Sequence, residues 1–208
     1  MSAPITTPYQ LVKRTERFSG NVISVVSDVV TMPDGGTAVR DWVIHPGAVG
    51  VVAIDDQDRV LLVHQYRHPV GRELWELPAG LLDVAGEPAV KGAARELAEE
   101  ADVRAERFEV LVDLVTTPGS SNEAIRLFLA RGISPVPAAE RHTRMGEEAT
   151  MTTQWFPLDE AVGLALSGEF ENAACVAGVL AAAAAQRRGW RGLRPANAPW
   201  RARPDRAG

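Results

Sequence analysis

A single cysteine, Cys175, stands in the 208 residues. One thiol cannot close a disulfide within the chain, so the fold must rest on packing, and a reducing compartment suits it. No apolar run reaches the roughly 20 residues that a membrane helix needs. The N-terminal MSAPITTPYQ lacks the basic and apolar regions of a secretory signal. These absences predict a cytoplasmic protein with no membrane partner. An excess of positive charge is missing as well. Lys and Arg total 22 against 27 Asp and Glu, a formal net charge of −5, which argues against a dedicated nucleic-acid binder. No internal repeat is visible. What remains is a chain of ordinary apolar content, 46%, long enough for one good-sized domain with a small appendage.

Residues 10–45 read as strands. The stretch 21–32 is rich in Val and Ile, Pro33-Asp34-Gly35-Gly36 is a strong turn, and 37–44 resumes an extended pattern around Trp42. Pro46-Gly47 marks a boundary. The expected organisation is an N-terminal β segment over 1–46, a main domain over 47–188 and an irregular, Arg-rich, solvated tail over 189–208. Within the main domain, 48–54, 60–66, 74–77, 109–115, 124–130 and 151–156 read as strands. The segment 133–149 has several prolines and no periodicity, and reads as a mobile surface loop. A helix is expected to open with a cap at Asp159, and a second, Ala-rich one to span 172–186. Cys175 falls on that second helix as a small buried hydrophobe. His64, His68 and His142 show no metal-ligand spacing.

The stretch 80–103, GLLDVAGEPAVKGAARELAEEADV, carries the most information. Pro88 suits a first helical position, and Glu87 suits the positive end of the helix dipole. Val90, Ala93, Ala94, Leu97 and Ala101 form one apolar stripe. Glu96, Glu99 and Glu100 lie off it at i, i+3 and i+4, on one shared face. Like charges so spaced repel by about 0.2–0.5 kcal/mol per pair. Either the face is simply solvated, or a divalent cation with oxygen ligands offsets the repulsion.

The stretch resembles the Nudix box, Gly-x5-Glu-x7-Arg-Glu-U-x-Glu-Glu-x-Gly-U with U aliphatic. Arg95-Glu96-Leu97-Ala98-Glu99-Glu100 matches its core, and Glu87 matches the earlier Glu. Two departures are present: six residues separate Gly80 from Glu87 where the family has five, and Asp102 replaces the closing Gly. The resemblance implies an α+β fold, the Nudix α/β/α sandwich with a mixed sheet, here preceded by a small antiparallel sheet. It implies hydrolysis of a nucleoside diphosphate linked to a group X, assisted by Mg²⁺ or Mn²⁺. Carried over residue by residue, Glu96, Glu100 and the carbonyl of Ala79 are metal ligands and Glu99 binds or orients a second ion. Arg95 holds the carboxylates, and Glu87 supports the loop and helix start.

Three features outside the box resemble the ADP-ribose pyrophosphatase branch, and within it the actinobacterial members. They are Pro118, sixteen residues after position 102; Gln65-Tyr66-Arg67 at a strand end; and the pair of segments Glu76-Leu77-Pro78-Ala79-Gly80 and Pro118-Gly119-Ser120-Ser121-Asn122-Glu123. They imply cleavage of ADP-ribose to AMP and ribose 5-phosphate. Arg67, Pro118, Gly119, Ser121 and Glu123 become substrate-binding candidates, and Glu148 or Glu147 the base on a mobile loop. Trp42 either stacks on adenine or packs in the sheet, and Arg40 either reaches phosphate or ribose or is solvated. The branch also implies a homodimer whose N-terminal sheets help build the partner's site. A broader nucleoside-diphosphate-sugar pyrophosphatase and a non-catalytic ADP-ribose sensor are the alternatives.

Overall fold

In the computed structural model, residues 8–204 are described, apart from the side chains of Glu147 and Glu148. They form strands β1 (Leu11–Ser19), β2 (Ser24–Thr31), β3 (Thr37–Ile44), β4 (Ala48–Ala53), β5 (Arg59–Arg67), β6 (Arg72–Glu76) and β7 (Ala79–Leu81). Helix α1 (Ala89–Ala101) and strands β8 (Val103–Val115), β9 (Ala124–Pro135) and β10 (Thr152–Pro157) follow. The chain then runs through α2 (Leu158–Ser167), α3 (Ala173–Arg187) and β11 (Arg194–Pro195). The fold is mixed α+β, as expected. The chain divides into two units: 8–46, 115–123 and residue 204 in one, 47–114 and 124–203 in the other.

The first unit is the antiparallel sheet β1-β2-β3. Its loop 115–123 is tied to the end of β3. The Val43 N–H donates to the Ser120 carbonyl at 2.8 Å, and the His45 N–H donates to Asn122 Oδ1 at 2.8 Å. Polar side chains are paired across the strands. Arg14 donates twice to Asp28, at 2.9 and 3.0 Å, and the Trp42 indole N–H donates to the same carboxylate at 2.8 Å.

The second unit is built on sheets β11-β8-β9-β4-β7 and β10-β5-β6. β4 and β9 run parallel, while β7 is antiparallel to β4. Side chains of a strand alternate between faces, and this sets two cores. Val49, Val51, Ala53, Phe128 and Ala130 pack with Ala93, Leu97 and Ala101 of α1. Val52, Leu127 and Leu129 pack instead with Leu158 and Ala161 of α2 and with Val179 and Ala182 of α3. Helices therefore cover both faces of the sheet, which is why β4 reads as an unbroken apolar run. Burying a side chain such as Leu97 stabilises by about 1.5–3 kcal/mol. Gly178 lets α3 approach closely, since a Cβ there would lie 2.7 Å from Leu77 Cδ1 and 3.0 Å from Val52 Cγ2.

Several expected boundaries move. Pro88 is the residue before α1, with an extended ψ of 136°, instead of its first helical residue. Without a backbone N–H it sits comfortably at that junction, and the N–H of Lys91 closes onto its carbonyl at 2.8 Å. Asp159 lies inside the first turn of α2, and Pro157 occupies the cap position. β9 runs on to Pro135, so the loop begins later than 133, and two short helical turns, Ala138–Glu140 and Gly146–Thr150, interrupt it. α3 follows expectation: Asn172 caps it by accepting from the Cys175 N–H at 2.9 Å, a bond of a kind that contributes about 1 kcal/mol. Cys175 is buried, and burial first and the nearby Glu76 second push its thiol up to about 12.

The tail after Gly189 keeps its described arginines exposed, as expected of a solvated segment, yet part of it lies against Arg126. Arg126, which is 2% exposed, donates to both oxygens of Asp113 and to the carbonyls of Ala198 and Pro199, and its guanidinium lies 4.9 Å from the Trp200 ring centre. A buried guanidinium needs such partners, and the tail's carbonyls supply two of them. Among the described residues no helix is long and apolar enough to cross a membrane.

Candidate active site

Helix α1 lies with Ala93, Leu97 and Ala101 against the sheet, so its next face is set toward the segment Pro78–Gly80 at the start of β7. There the Ala79 N–H donates to Glu100 Oε2 at 2.8 Å, and Glu100 is only 6% exposed. Gly80 is required by close approach. A Cβ on it would fall 2.1 Å from the carboxyl carbon of Glu96. A cleft of about 400 Å³ opens here, walled by Glu96, Glu99, Glu100, Asp83, Ala79, Gly80, Arg95, Gln65, Arg67 and Met145.

Arg95 is the cation set among the α1 carboxylates of this cleft. Its Nη1 reaches Glu96 at 2.6 Å and Glu99 at 3.3 Å, and its Nη2 reaches Glu87 at 3.4 Å. Burial works against its charge, but Glu87, Glu96 and Glu99 together hold it protonated more firmly than an ordinary guanidinium. Glu96 shows the opposite strain. Burial raises its carboxyl above the usual range, Arg95 offsets part of that, and Glu99 and Asp83 add to it. The cleft thus carries four carboxylates against Arg95 and Arg67. Arg67 is already held by the buried Glu76, with bonds of 2.9 and 2.7 Å.

Oxygen-only donors with surplus negative charge are the chemistry that hard divalent cations take. Among the described residues no three acidic, His or Cys side chains converge on a ready ligand point, because Arg95 draws Glu96 and Glu99 to itself and Glu100 is turned to the Ala79 amide. The donor set, and the cradle that Gly80 leaves for Glu96, fit a divalent ion.

The structure brings Ala79, Arg95, Glu96, Glu99, Glu100 and Arg67 to one cleft. Glu147 and Glu148 fall in the turn Gly146–Thr150, and their side chains lie outside the described residues. The remaining candidates belong to the first unit. Trp42 is half-buried on β3, its N–H given to Asp28 and its ring 5.2 Å from the Arg14 guanidinium. Arg40 is exposed and donates to the Val39 carbonyl at 3.0 Å. Pro118 and Gly119 are exposed at the loop tip, Ser121 bridges to Val43 of β3, and Glu123 accepts from Thr116 at 2.5 Å and approaches His45 at 3.7 Å. The loop candidates lie beside the C-terminal end of β3, where Val43 pairs with Ser121, while Arg40 stands mid-strand.

Asp83 and Met145 were not singled out by sequence, and Glu76 was named only as the first residue of the segment Glu76–Gly80, without a partner. Hairpin register does not announce the Arg67–Glu76 pair, since Glu76 stands opposite Val63 while Arg67 stands opposite Arg72, and the contact is made by the reach of the two long side chains. Met145 has no local signal.

The pattern describing the NUDIX domain matches residues 44–177. An ADP-ribose pyrophosphatase of Mycobacterium tuberculosis is 45% identical over 94% of this chain and 93% of its own length. A methanol dehydrogenase activator of Bacillus methanolicus is 37% identical over 73% of this chain and 80% of its own. A solved structure described as an ADP compounds hydrolase superposes with a TM-score of 0.77 at 20% identity, covering 91% of this chain and all of that one, a likeness of fold.

Proposed function

The chain belongs to the NUDIX domain family, and from that membership we propose that it hydrolyses the pyrophosphate bond of ADP-ribose to AMP and ribose 5-phosphate. The observation that carries the reading is the acid-rich cleft on α1, with Arg67 in its wall. The 45%-identical relative, named for that activity along nearly its whole length, supports the choice of substrate.

Hydrolases of this family in general use a divalent metal. We assign Mg²⁺, with Mn²⁺ as a substitute, to Glu96, Glu99, Glu100 and the Ala79 carbonyl. Bound there, such an ion would supply positive charge against the diphosphate oxygens and would make the attacking water more acidic. Arg95 holds Glu96 and Glu99 in place and limits their mutual repulsion. Arg67, in the cleft wall, donates to a diphosphate oxygen. A carboxylate on the loop after β9, Glu148 first and Glu147 second, takes the proton of the water as its oxygen bonds to one phosphorus. The bridging oxygen leaves with the other phosphate. Trp42, Arg40, Pro118, Gly119, Ser121 and Glu123 are assigned to substrate binding. The protein acts in the cytoplasm as a homodimer with shared sites. Leu11, Val12, Phe18 and Val39, each more than half exposed on the β1–β3 sheet, support that assembly. Sedimentation as a monomer at micromolar concentration would refute it.

Incubation with ADP-ribose and Mg²⁺, followed by chromatography, should yield AMP and ribose 5-phosphate. No AMP above background with either Mg²⁺ or Mn²⁺ overturns the enzyme reading and leaves a binding role. A panel with ADP-glucose, UDP-glucose and NADH tests the breadth. Equal turnover across it would replace ADP-ribose with nucleoside-diphosphate sugars as a class.

A further inference from the structure

Asp102 stands where the family pattern closes on Gly, and the structure gives this departure a partner. It holds a left-handed backbone, φ 54° and ψ 29°, at the C-terminus of α1, a conformation that Asp tolerates better than most residues. Its carbonyl accepts from the Val136 N–H at 2.8 Å. Its carboxylate accepts from Arg144 Nη2 at 2.7 Å, while Arg144 Nε donates to the carbonyl of Glu99 at 3.1 Å. One planar guanidinium thus spans the last turn of α1 and the residue that ends it. A helix C-terminus leaves carbonyls without intrahelical donors and favours a cation, so the contact is favourable at both points. The next residue, Met145, lies in the wall of the carboxylate cleft and also in the wall of a neighbouring cleft of about 610 Å³, which Arg95 and Glu99 line too.

We propose that Asp102 and Arg144 form a latch that positions the loop after β9 against α1 and so sets the wall of the carboxylate cleft for the reaction. Both are positioning residues. Neither needs to touch substrate. A Gly at 102 would keep the backbone turn and lose the latch, so the side chain at this position adds a function that the turn alone does not require. Arg144 is half-buried, with about a fifth of its side chain exposed, so its geometry is held by packing as well as by charge. The inference rests on the hydrolase reading above.

The test uses the full chain in four forms: wild type, Asp102→Gly, Arg144→Ala and the double variant, with Arg144→Lys as the conservative change. Misplacing a catalytic wall by about 1 Å can cost on the order of 100-fold. Each single variant should lower kcat for ADP-ribose by ~10-fold or more while KM moves less than about threefold, and the double variant should be no worse than either single, the mark of one shared interaction. Hydrogen exchange over residues 136–146, measured without metal or substrate, should quicken in the same variants, and Arg144→Lys should recover part of both. Wild-type turnover with variants inside twofold of it overturns the latch and leaves the hydrolase reading standing. Lost turnover with unchanged exchange over 136–146 also overturns it, since the effect then travels through α1. An inactive wild type overturns the hydrolase reading, and this one with it.

Discussion

Asp28 and Glu96 are both largely withdrawn from water, yet their acidities move in opposite directions. Asp28, in the β1–β3 sheet, is held below the usual carboxylate range by hydrogen bonds from Arg14, with Trp42 and the Arg14 charge adding to them against burial. Glu96, on α1, is raised by burial, and Arg95 only partly offsets it. The difference lies in the count of nearby charge. Around Asp28 donors are in surplus. Around Glu96 carboxylates are. A charge network that closes on itself serves the fold, while one left with surplus negative charge is arranged for something that arrives with positive charge.

The largest effect should follow from breaking the surplus. Glu100→Gln removes one charge but keeps an oxygen that can accept from the Ala79 amide, so the fold should hold. Turnover should fall by orders of magnitude, on the order of 100-fold or more for a group acting on the ion that meets transition-state charge, with an unchanged melting temperature. Steady-state kinetics beside a thermal melt reads both. Near-wild-type turnover would remove Glu100 from the metal set and undo the contrast with Asp28.

A smaller loss should follow from displacing a carboxylate without removing it. In Gly80→Ala the new Cβ would meet Glu96 at 2.1 Å, and the far end of a flexible side chain yields more readily than backbone. We expect turnover to drop by ~10–100-fold, the metal concentration for half-maximal rate to rise, and stability to change by less than about 1 kcal/mol. Titrating the metal against rate, with a melt as control, separates the outcomes. A large loss of stability with the metal requirement unmoved would make Gly80 a packing glycine.

These two experiments touch the part of the molecule that could be read before any coordinates existed. The i, i+3, i+4 spacing of Glu96, Glu99 and Glu100 and the apolar stripe through Leu97 are properties of a single helix. Local periodicity exposes them. The unbroken apolar run of β4 likewise marked a strand buried on both faces. What stayed hidden was made by distant segments. Arg126 meets carbonyls more than seventy residues away, and Arg144 meets Asp102 across forty-two. No spacing rule links such positions, because the intervening chain must first fold. Pro88 and Asp159 slipped by one or two residues for a different reason: Pro, like Asp, suits either side of a helix start, and local chemistry alone does not choose.

The smallest effect belongs to the sheet, and it concerns pH instead of turnover. Asp28 has a folded-state pKa below its unfolded value, so the unfolded chain takes up a proton first as pH falls. The stabilisation from its pairing with Arg14 is therefore full above about pH 4, the unfolded range for Asp, and is lost below it as the folded carboxyl protonates in turn. Asp28→Asn lacks that dependence and leaves Arg14 and Trp42 with an amide. Melting temperatures of wild type and variant, followed from pH 6 down to pH 3, should show a gap of a few degrees that is constant at the upper end and narrows below about pH 4. A gap that persists unchanged to pH 3 would mean that Asp28 contributes by shape and hydrogen bonding alone. The pairing of charge would then no longer separate the sheet from the cleft, and the surplus around Glu96 would have to be argued without its counterexample.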